Sequence, residues 1–388
     1  MGKSLKKYVV ISGFNIHDDN RGCSALSYGA VNFLYKKGFV SKDHEFINLF
    51  PVRKFWKKRN RQIYTDTITV DSIEFKCKTI KYFIGEYYLY KMFSIRMPFT
   101  NFGKVLKSIL KVAAINGGDG FSDIYGTSTF RHRLYETEIA MKQNLPLIIL
   151  PQTIGPFKEQ SNYQKAKEIL KYADRIFIRD DCFVDELRRM DVEYELTKDL
   201  SAFMPPDPID IEIAGDSIGI NVSGLAYSNN FSGLVGQFEF YPILIDKLIG
   251  YYTQLGRKVY LIPHSYNCNN PDLTNDDFVA CATVADKWKH NSNVIFVKKD
   301  ITAPQIKYVI SKMSFFIGTR MHANFAAIYT GVPLFGLAYS YKFEGAFNAN
   351  GLDGEKQTVM INNITEIEVT QIVKKVVDFY EAVTSNAK

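Results

Sequence analysis

Arg320 and His322 stand two residues apart in Phe315-Phe316-Ile317-Gly318-Thr319-Arg320-Met321-His322, where an apolar run meets an alanine-rich stretch that closes at Gly331 and Pro333. The pattern reads as a strand, a tight turn and a short helix, with Gly331 as the helix stop and Pro333 opening the next strand. Thr319 then lies in the turn, and Arg320 and His322 in the first helical turn. A helix start presents unpaired N–H groups and a partial positive charge, which favour a bound anion. Arginine adds a rigid two-pronged donor for phosphate or carboxylate, and histidine a group that exchanges a proton near neutral pH. The rival reading is a surface arginine beside a structural histidine. Placement directly after an apolar strand favours the anion site.

Ile115-Asn116-Gly117-Gly118-Asp119-Gly120 also follows an apolar run. Its glycines let backbone approach a ligand, although the spacing is neither a dinucleotide fingerprint nor a P-loop, and a plain tight turn explains it nearly as well. Asp119 is a candidate base for a sugar hydroxyl. Asn15-Ile16-His17-Asp18-Asp19-Asn20-Arg21-Gly22 follows the first run. Consecutive side chains rarely converge on one ion, so no metal is expected; a turn and N-cap with Asp18 or Asp19 against an acceptor hydroxyl fits better. Gln152 and Arg179-Asp180-Asp181 follow the next two runs. Pro263-His264-Ser265-Tyr266 closes a run in the second half, where His264 taken alone reads as a structural hydrogen-bonder.

Positioning these residues requires strands that end where they begin. Apolar runs at Tyr8–Ile11, Val112–Ile115, Leu147–Leu150, Arg175–Ile178, Ile218–Val222, Lys258–Ile262, Val294–Val297 and Phe315–Gly318 are each followed by a turn and a helical pattern. This alternation predicts an α/β fold of parallel sheets wrapped by helices. Pro205, Pro206 and Pro208 interrupt it, and a fresh strand–helix series begins at Ile218. The expected organisation is two Rossmann-like, doubly wound domains facing a cleft: residues 1–205, a linker at 206–216, residues 217–370 and a terminal helix at 371–388. Ligands in such sheets bind beyond the carboxyl ends of the strands.

The 388 residues exceed one ordinary core, and 46% hydrophobic with 23% charged residues is a globular composition. No apolar run is long enough to span a bilayer, and the basic N-terminus reads as the lead into a first strand rather than a signal peptide. Five scattered cysteines without a CxxC predict neither a disulfide framework nor a thiolate metal site and fit the cytoplasm. Charge is uneven: residues 1–115 carry 21 Lys+Arg against 8 Asp+Glu, the remainder 27 against 33. Arg53–Arg61 is the densest basic run, and Lys81–Lys111 interleaves Lys and Arg with Tyr87, Tyr88, Tyr90, Phe93, Met97, Phe99 and Phe102. Such a mixture suits an anionic membrane surface, against a rival reading of solvated lysines over buried aromatics. Without a nucleic-acid motif beside the charge, no nucleic-acid partner is expected.

Taken in order, these segments resemble the polysaccharide pyruvyl transferase family. The matching pieces are Asn15…Asp18, Gly117-Gly118-Asp119-Gly120, Gln152-Thr153-Ile154-Gly155-Pro156, Arg179-Asp180, Asp199-Leu200-Ser201-Ala202-Phe203, Ile262-Pro263-His264, Arg320-Met321-His322-Ala323 and Gly331-Val332-Pro333 through Tyr339-Ser340-Tyr341-Lys342-Phe343-Glu344-Gly345. The family's N-terminal Asn-x-Gly-Asp reads here as Asn15-Ile16-His17-Asp18, and residues 50–110 match no known pattern. The resemblance implies two Rossmann-like domains in a GT-B-like arrangement and transfer of a pyruvyl group from phosphoenolpyruvate to sugar hydroxyls of a polysaccharide or its lipid-linked precursor, forming a ketal. Arg320, Arg179 and Lys342 would hold the donor, His322 would give a proton or bind phosphate, and Asp119 or Asp18 would be the base. Gly117, Gly118, Gln152, Thr319 and His264 would line the substrates. No cofactor or metal is implied beyond the donor, and the enzyme would work in the cytoplasm, peripherally at the inner face of the membrane. The competing reading is a GT-B-like glycosyltransferase using a nucleotide sugar.

Overall fold

A computed structural model describes residues 7–54, 63–115 and 117–385. Two units divide the chain. Unit 1 comprises Met1–Ile16 and Leu26–Phe203; unit 2 comprises His17–Ala25 and Met204–Lys388. Residues 17–25, placed with the first domain by their position in the sequence, thus belong to the second.

Unit 1 is built on an eight-stranded sheet: β1 (Tyr8–Ile11), β2 (Glu45–Val52), β3 (Ile63–Val70), β4 (Ile73–Phe83), β5 (Ile109–Ala114), β6 (Leu147–Gln152), β7 (Arg175–Ile178) and β8 (Glu195–Leu196), in spatial order β3-β4-β2-β1-β5-β6-β7-β8. All neighbours are parallel except β3 and β4, which form a hairpin. Its two-residue loop, Asp71-Ser72, has positive φ at both positions, the backbone that matches the right-handed twist of the flanking strands. The central strands are buried on both faces, with Val9, Val10, Val112, Ala113, Leu147 and Ile149 fully enclosed, as covered parallel sheets require.

Unit 2 holds a six-stranded all-parallel sheet: β9 (Ile218–Asn221), β10 (Val259–Leu261), β11 (Val294–Phe296), β12 (Phe315–Gly318), β13 (Leu334–Ala338) and β14 (Thr358–Met360), in order β11-β10-β9-β12-β13-β14. The order turns back at β9, with β10 on one side and β12 on the other, so the loops after these three strands gather at a topological switch point. The helices that matter below are α1 (Arg21–Lys36), α2 (Ile84–Phe93), α3 (Tyr135–Gln143), α4 (Asp277–Lys287), α5 (Met321–Ile328), α6 (Lys342–Asn348) and α7 (Glu366–Ser385). The fold is therefore α/β with two Rossmann-like sheets. The proline-rich stretch after Met204 carries no regular structure; Lys307, buried, donates its Nζ to the Met204 carbonyl at 2.7 Å. Among the described residues no helix is long and apolar enough to cross a membrane, and no group of three His, Cys, Asp or Glu is placed to hold a metal.

Candidate active site

In unit 2, β12 runs into α5 as the sequence predicts, and Arg320 is the N-cap residue of that helix, in extended conformation. Its backbone N–H donates to Asn221 Oδ1 at 2.8 Å, tying the turn to the end of β9. Its guanidinium grips Asp277, with Nε and Nη2 reaching the same Oδ1 at 3.1 and 2.7 Å, and Nη2 also donates to the carbonyl and side-chain oxygens of Asn275. Burial alone would lower the pKa of Arg320, but the Asp277 carboxylate holds it above its ordinary value. The buried fork is permanently charged, and Nη1 makes no hydrogen bond among the described residues.

Asp277 was not a sequence candidate, yet it organises the site. It is the first residue of α4 and fully buried. Besides Arg320 it accepts from Gly224 N at 2.8 Å, Asn221 Nδ2 at 3.2 Å, and His264 N and Ser265 N at 3.0 Å each. One carboxylate thereby fixes the loops after β9, β10 and β12. The available signal is the pair Asp276-Asp277 ahead of an apolar helix: Asp276 caps α4 by accepting from Phe278 N and Val279 N, which leaves the second acid for other work.

His264 is buried at the end of β10, beside this cluster. Burial, then the charges of His322, Arg320 and Arg21, push its pKa well below the usual imidazole value. It is neutral at physiological pH. His322, in the first turn of α5, stands edge-on to Phe325 with ring centroids 5.5 Å apart, and its ring lies on the backbone of Gly22, where a Cβ would fall 2.6 Å from Nδ1. Gly22→Ala is therefore expected to turn the imidazole aside and cut turnover about 100-fold, the effect of a misplacement of about 1 Å. Alanine favours a helix start over glycine, so urea unfolding should show no loss of stability from the backbone. Retained turnover would show that the ring's position is not set by this contact.

Residues 17–25 join unit 2 through pairings far apart in sequence. Asn20 bridges Ser265, Arg21 N donates to His264 O, and Tyr266 N donates to Asp19 O. Arg21 spends its guanidinium on Asp300, Ile301 O and Asp18 O while lying 4.5 Å from the Tyr266 ring centre. Asp18 accepts Asn20 N at 2.9 Å, an Asx turn leading into α1. Thr319 is buried and shares a 2.8 Å hydrogen bond with Tyr241. Lys342 opens α6, after β13, and its amide donates to Ser340 Oγ. The structure thus groups His264, Arg320 and His322 at one switch point with Asp18 on the adjoining turn.

Unit 1 gathers the remaining candidates at the ends of β5, β6 and β7. Arg179 donates Nη1 to Asp199 at 2.8 Å and Nε to Thr153 Oγ1 at 3.1 Å, with Asp180 3.4 Å away. Burial opposes its charge, but Asp199, Asp180 and Asp119 together raise its pKa. Gly118 has a physical reason here: a Cβ would sit 2.5 Å from Arg179 Nη1. Gly117, by contrast, faces open space. Asp119 accepts from Tyr125 Oη at 3.0 Å. Gln152 is buried, donates Nε2 to Leu150 O, and its Oε1 has no partner among the described residues.

Glu136, in the first turn of α3, is a second residue that sequence reading missed. Its carboxylate accepts from Ser12 Oγ at 3.3 Å, just past β1, and burial raises its pKa to about 7. An unfolded carboxyl titrates near 4.5. The folded chain therefore holds the extra proton between these values, and this contribution to stability is full below 4.5 and lost as pH rises through 7. Neutral His264 acts oppositely, its contribution present above pH 6.5 and lost on acidification. The difference between wild type and Glu136→Gln isolates the first term: thermal midpoints across pH 5–8 should show the variant gaining on wild type as pH rises. A constant difference would refute the assignment.

The model of the polysaccharide pyruvyl transferase family matches residues 20–341, and the chain belongs to that family. It is similar to the amylovoran biosynthesis protein AmsJ of Erwinia amylovora, 20% identical over 94% of this chain and 91% of that protein. Among solved structures it resembles the UDP-GlcNAc 2-epimerase of Methanocaldococcus jannaschii, with a TM-score of 0.52, 10% identity, and coverage of 97% of this chain and 92% of that one. A putative UDP-N-acetylglucosamine 2-epimerase from Listeria monocytogenes gives 0.51 and 10%, over 97% and 88%. At this identity the likeness is one of fold, two Rossmann-like domains.

Proposed function

We propose that this polysaccharide pyruvyl transferase moves the pyruvyl group of phosphoenolpyruvate onto two hydroxyls of one sugar in a lipid-linked polysaccharide precursor. The observation that carries the reading is Arg320, locked by Asp277 at the start of α5 with His322 two residues further along that helix. The donor bears a phosphate and a carboxylate. The fixed positive charge of Arg320, its Nη1 and the N–H groups of the helix start suit either anion.

In the reaction one hydroxyl oxygen bonds to C2 of the donor while C3 takes a proton and becomes a methyl group. A second hydroxyl bonds to C2 as the C2–O bond to phosphate breaks. The two hydroxyl protons balance the one gained at C3 and the one leaving with phosphate. His322 is the proton donor or a phosphate ligand, and Asp119 or Asp18 the base. Arg179, Lys342, His264, Thr319, Gln152 and the Gly117-Gly118 turn are the further substrate-side residues. Side-chain cations and helix N–H groups supply the charge neutralisation, so no metal or other cofactor enters the reading.

The test is phosphate release from phosphoenolpyruvate in the presence of lipid-linked oligosaccharides, with and without EDTA. Phosphate in step with acceptor pyruvylation, at equal rates in both, is the expected result. Consumption of a UDP-sugar in its place would transfer the assignment to a glycosyltransferase.

A further inference from the structure

The last residues of α2 and the stretch from there to the helix Asn101–Val105 leave large apolar side chains in solvent: Met92 is 66% exposed, Phe93 61%, Ile95 50% and Phe99 74%. Fraying is not the cause. Ser94 ends α2 in the left-handed conformation with its N–H bonded to Tyr90 O, and Thr100 caps the next helix by accepting Gly103 N while donating to Met97 O. Gly103 lets that turn close, since a Cβ there would meet Met97 O at 1.8 Å. Behind it, Phe102 stacks on Tyr82 at 4.3 Å, both buried. The fold anchors the base of the segment in the core and holds its apolar tip outside.

Unit 1 exposes further apolar side chains on its sheet. Phe50, Ile63, Tyr64 and Phe83 are exposed, and the strand register sets Phe50 opposite Lys81 and Ile63 opposite Ile80, with Lys81 Nζ 4.9 Å from the Tyr64 ring centre. Along the segment itself, from Met92 to Lys107, every charge is positive. Between Phe83 and Lys107 the one acid is Glu86, which is buried, whereas Arg96, Lys104 and Lys107 are exposed and carry no ion pair among the described residues. The rival of solvated lysines over buried aromatics describes Tyr87 and Phe102 but not Phe93 and Phe99. Exposed apolar side chains interspersed with unpaired cations along one segment are complementary to anionic headgroups over an acyl interior.

We propose that residues 92–99, with Arg96, Lys104 and Lys107, dock unit 1 on an anionic lipid surface, Phe93 and Phe99 entering the headgroup layer. The basic run Arg53–Arg61, singled out in the sequence, lies mostly outside the described residues and takes no part in this inference. The docking is independent of the donor assignment.

The full chain should co-sediment with vesicles of phosphatidylcholine mixed with phosphatidylglycerol, much less with phosphatidylcholine alone, and less as salt is added. Phe93→Ser with Phe99→Ser should weaken binding about tenfold or more without moving the thermal midpoint, because these side chains touch little of the core. Phe99→Trp should show a blue-shifted emission on adding anionic vesicles. Equal binding by wild type and the double variant, or none by wild type at low salt, overturns the proposal. So does a vesicle-free dimer that the double variant converts to monomer, which would assign the patch to a second copy of the chain.

Discussion

Asp277→Ala is expected to destabilise unit 2 by about 3–5 kcal/mol, the cost of leaving a buried charge without its partner. The Arg320 side chain stays at 11% exposure and retains, besides its backbone, the two oxygens of Asn275. The converse change is milder. In Arg320→Ala, Asp277 keeps four N–H donors from Asn221, Gly224, His264 and Ser265, so the carboxylate remains solvated by amides. Urea midpoints at constant m should therefore rank Asp277→Ala below Arg320→Ala, and both below wild type. The reverse ranking would mean that the arginine, not the acid, holds the loops. This asymmetry has a practical consequence: loss of activity in Arg320→Ala mixes a lost anion contact with a loosened switch point, so Arg320 is a poor sole probe of chemistry.

How much of this was readable from the residues depends on whether the signal was local. The β12–turn–α5 unit was, because an apolar run, a glycine, a helical stretch, Gly331 and Pro333 all lie between residues 315 and 333. β2, β3 and β4 were not. β3 and β4 alternate buried and exposed residues, and β2 carries Pro51, so none looks like the uninterrupted apolar run that marks a central parallel strand. Arg320 was found but its partner was not, since Asp277 is separated from it by forty-three residues and its one local signal is a second acid beside the helix cap Asp276. The transfer of residues 17–25 to unit 2 rests on backbone pairing with residues 264–266, which no local pattern encodes. Glu136 escaped for a different reason. Its ionisation is set by burial beneath its neighbours, a property of packing rather than of spacing.

His322→Ala is expected to lower kcat for phosphoenolpyruvate-dependent transfer about 10²–10⁴-fold, the usual contribution of a positioned proton donor. The substitution is a cleaner probe than Arg320→Ala because the imidazole is only partly buried, and its ring contacts include an edge-on approach to Phe325 and the backbone of Gly22. Removing it exposes no buried charge, so unfolding should be nearly unchanged. The two roles open to this histidine separate kinetically. A proton donor to C3 acts in the transition state, so its loss lowers kcat with little change in the donor's KM; a ground-state phosphate ligand raises KM at nearly constant kcat. His322→Gln sharpens the distinction, since its amide can still donate a hydrogen bond to phosphate but cannot deliver a proton. Phosphate release at saturating acceptor should stay low in both variants if protonation is the role. Recovery of the rate by glutamine would make His322 an anion ligand and move the search for the acid to another side chain.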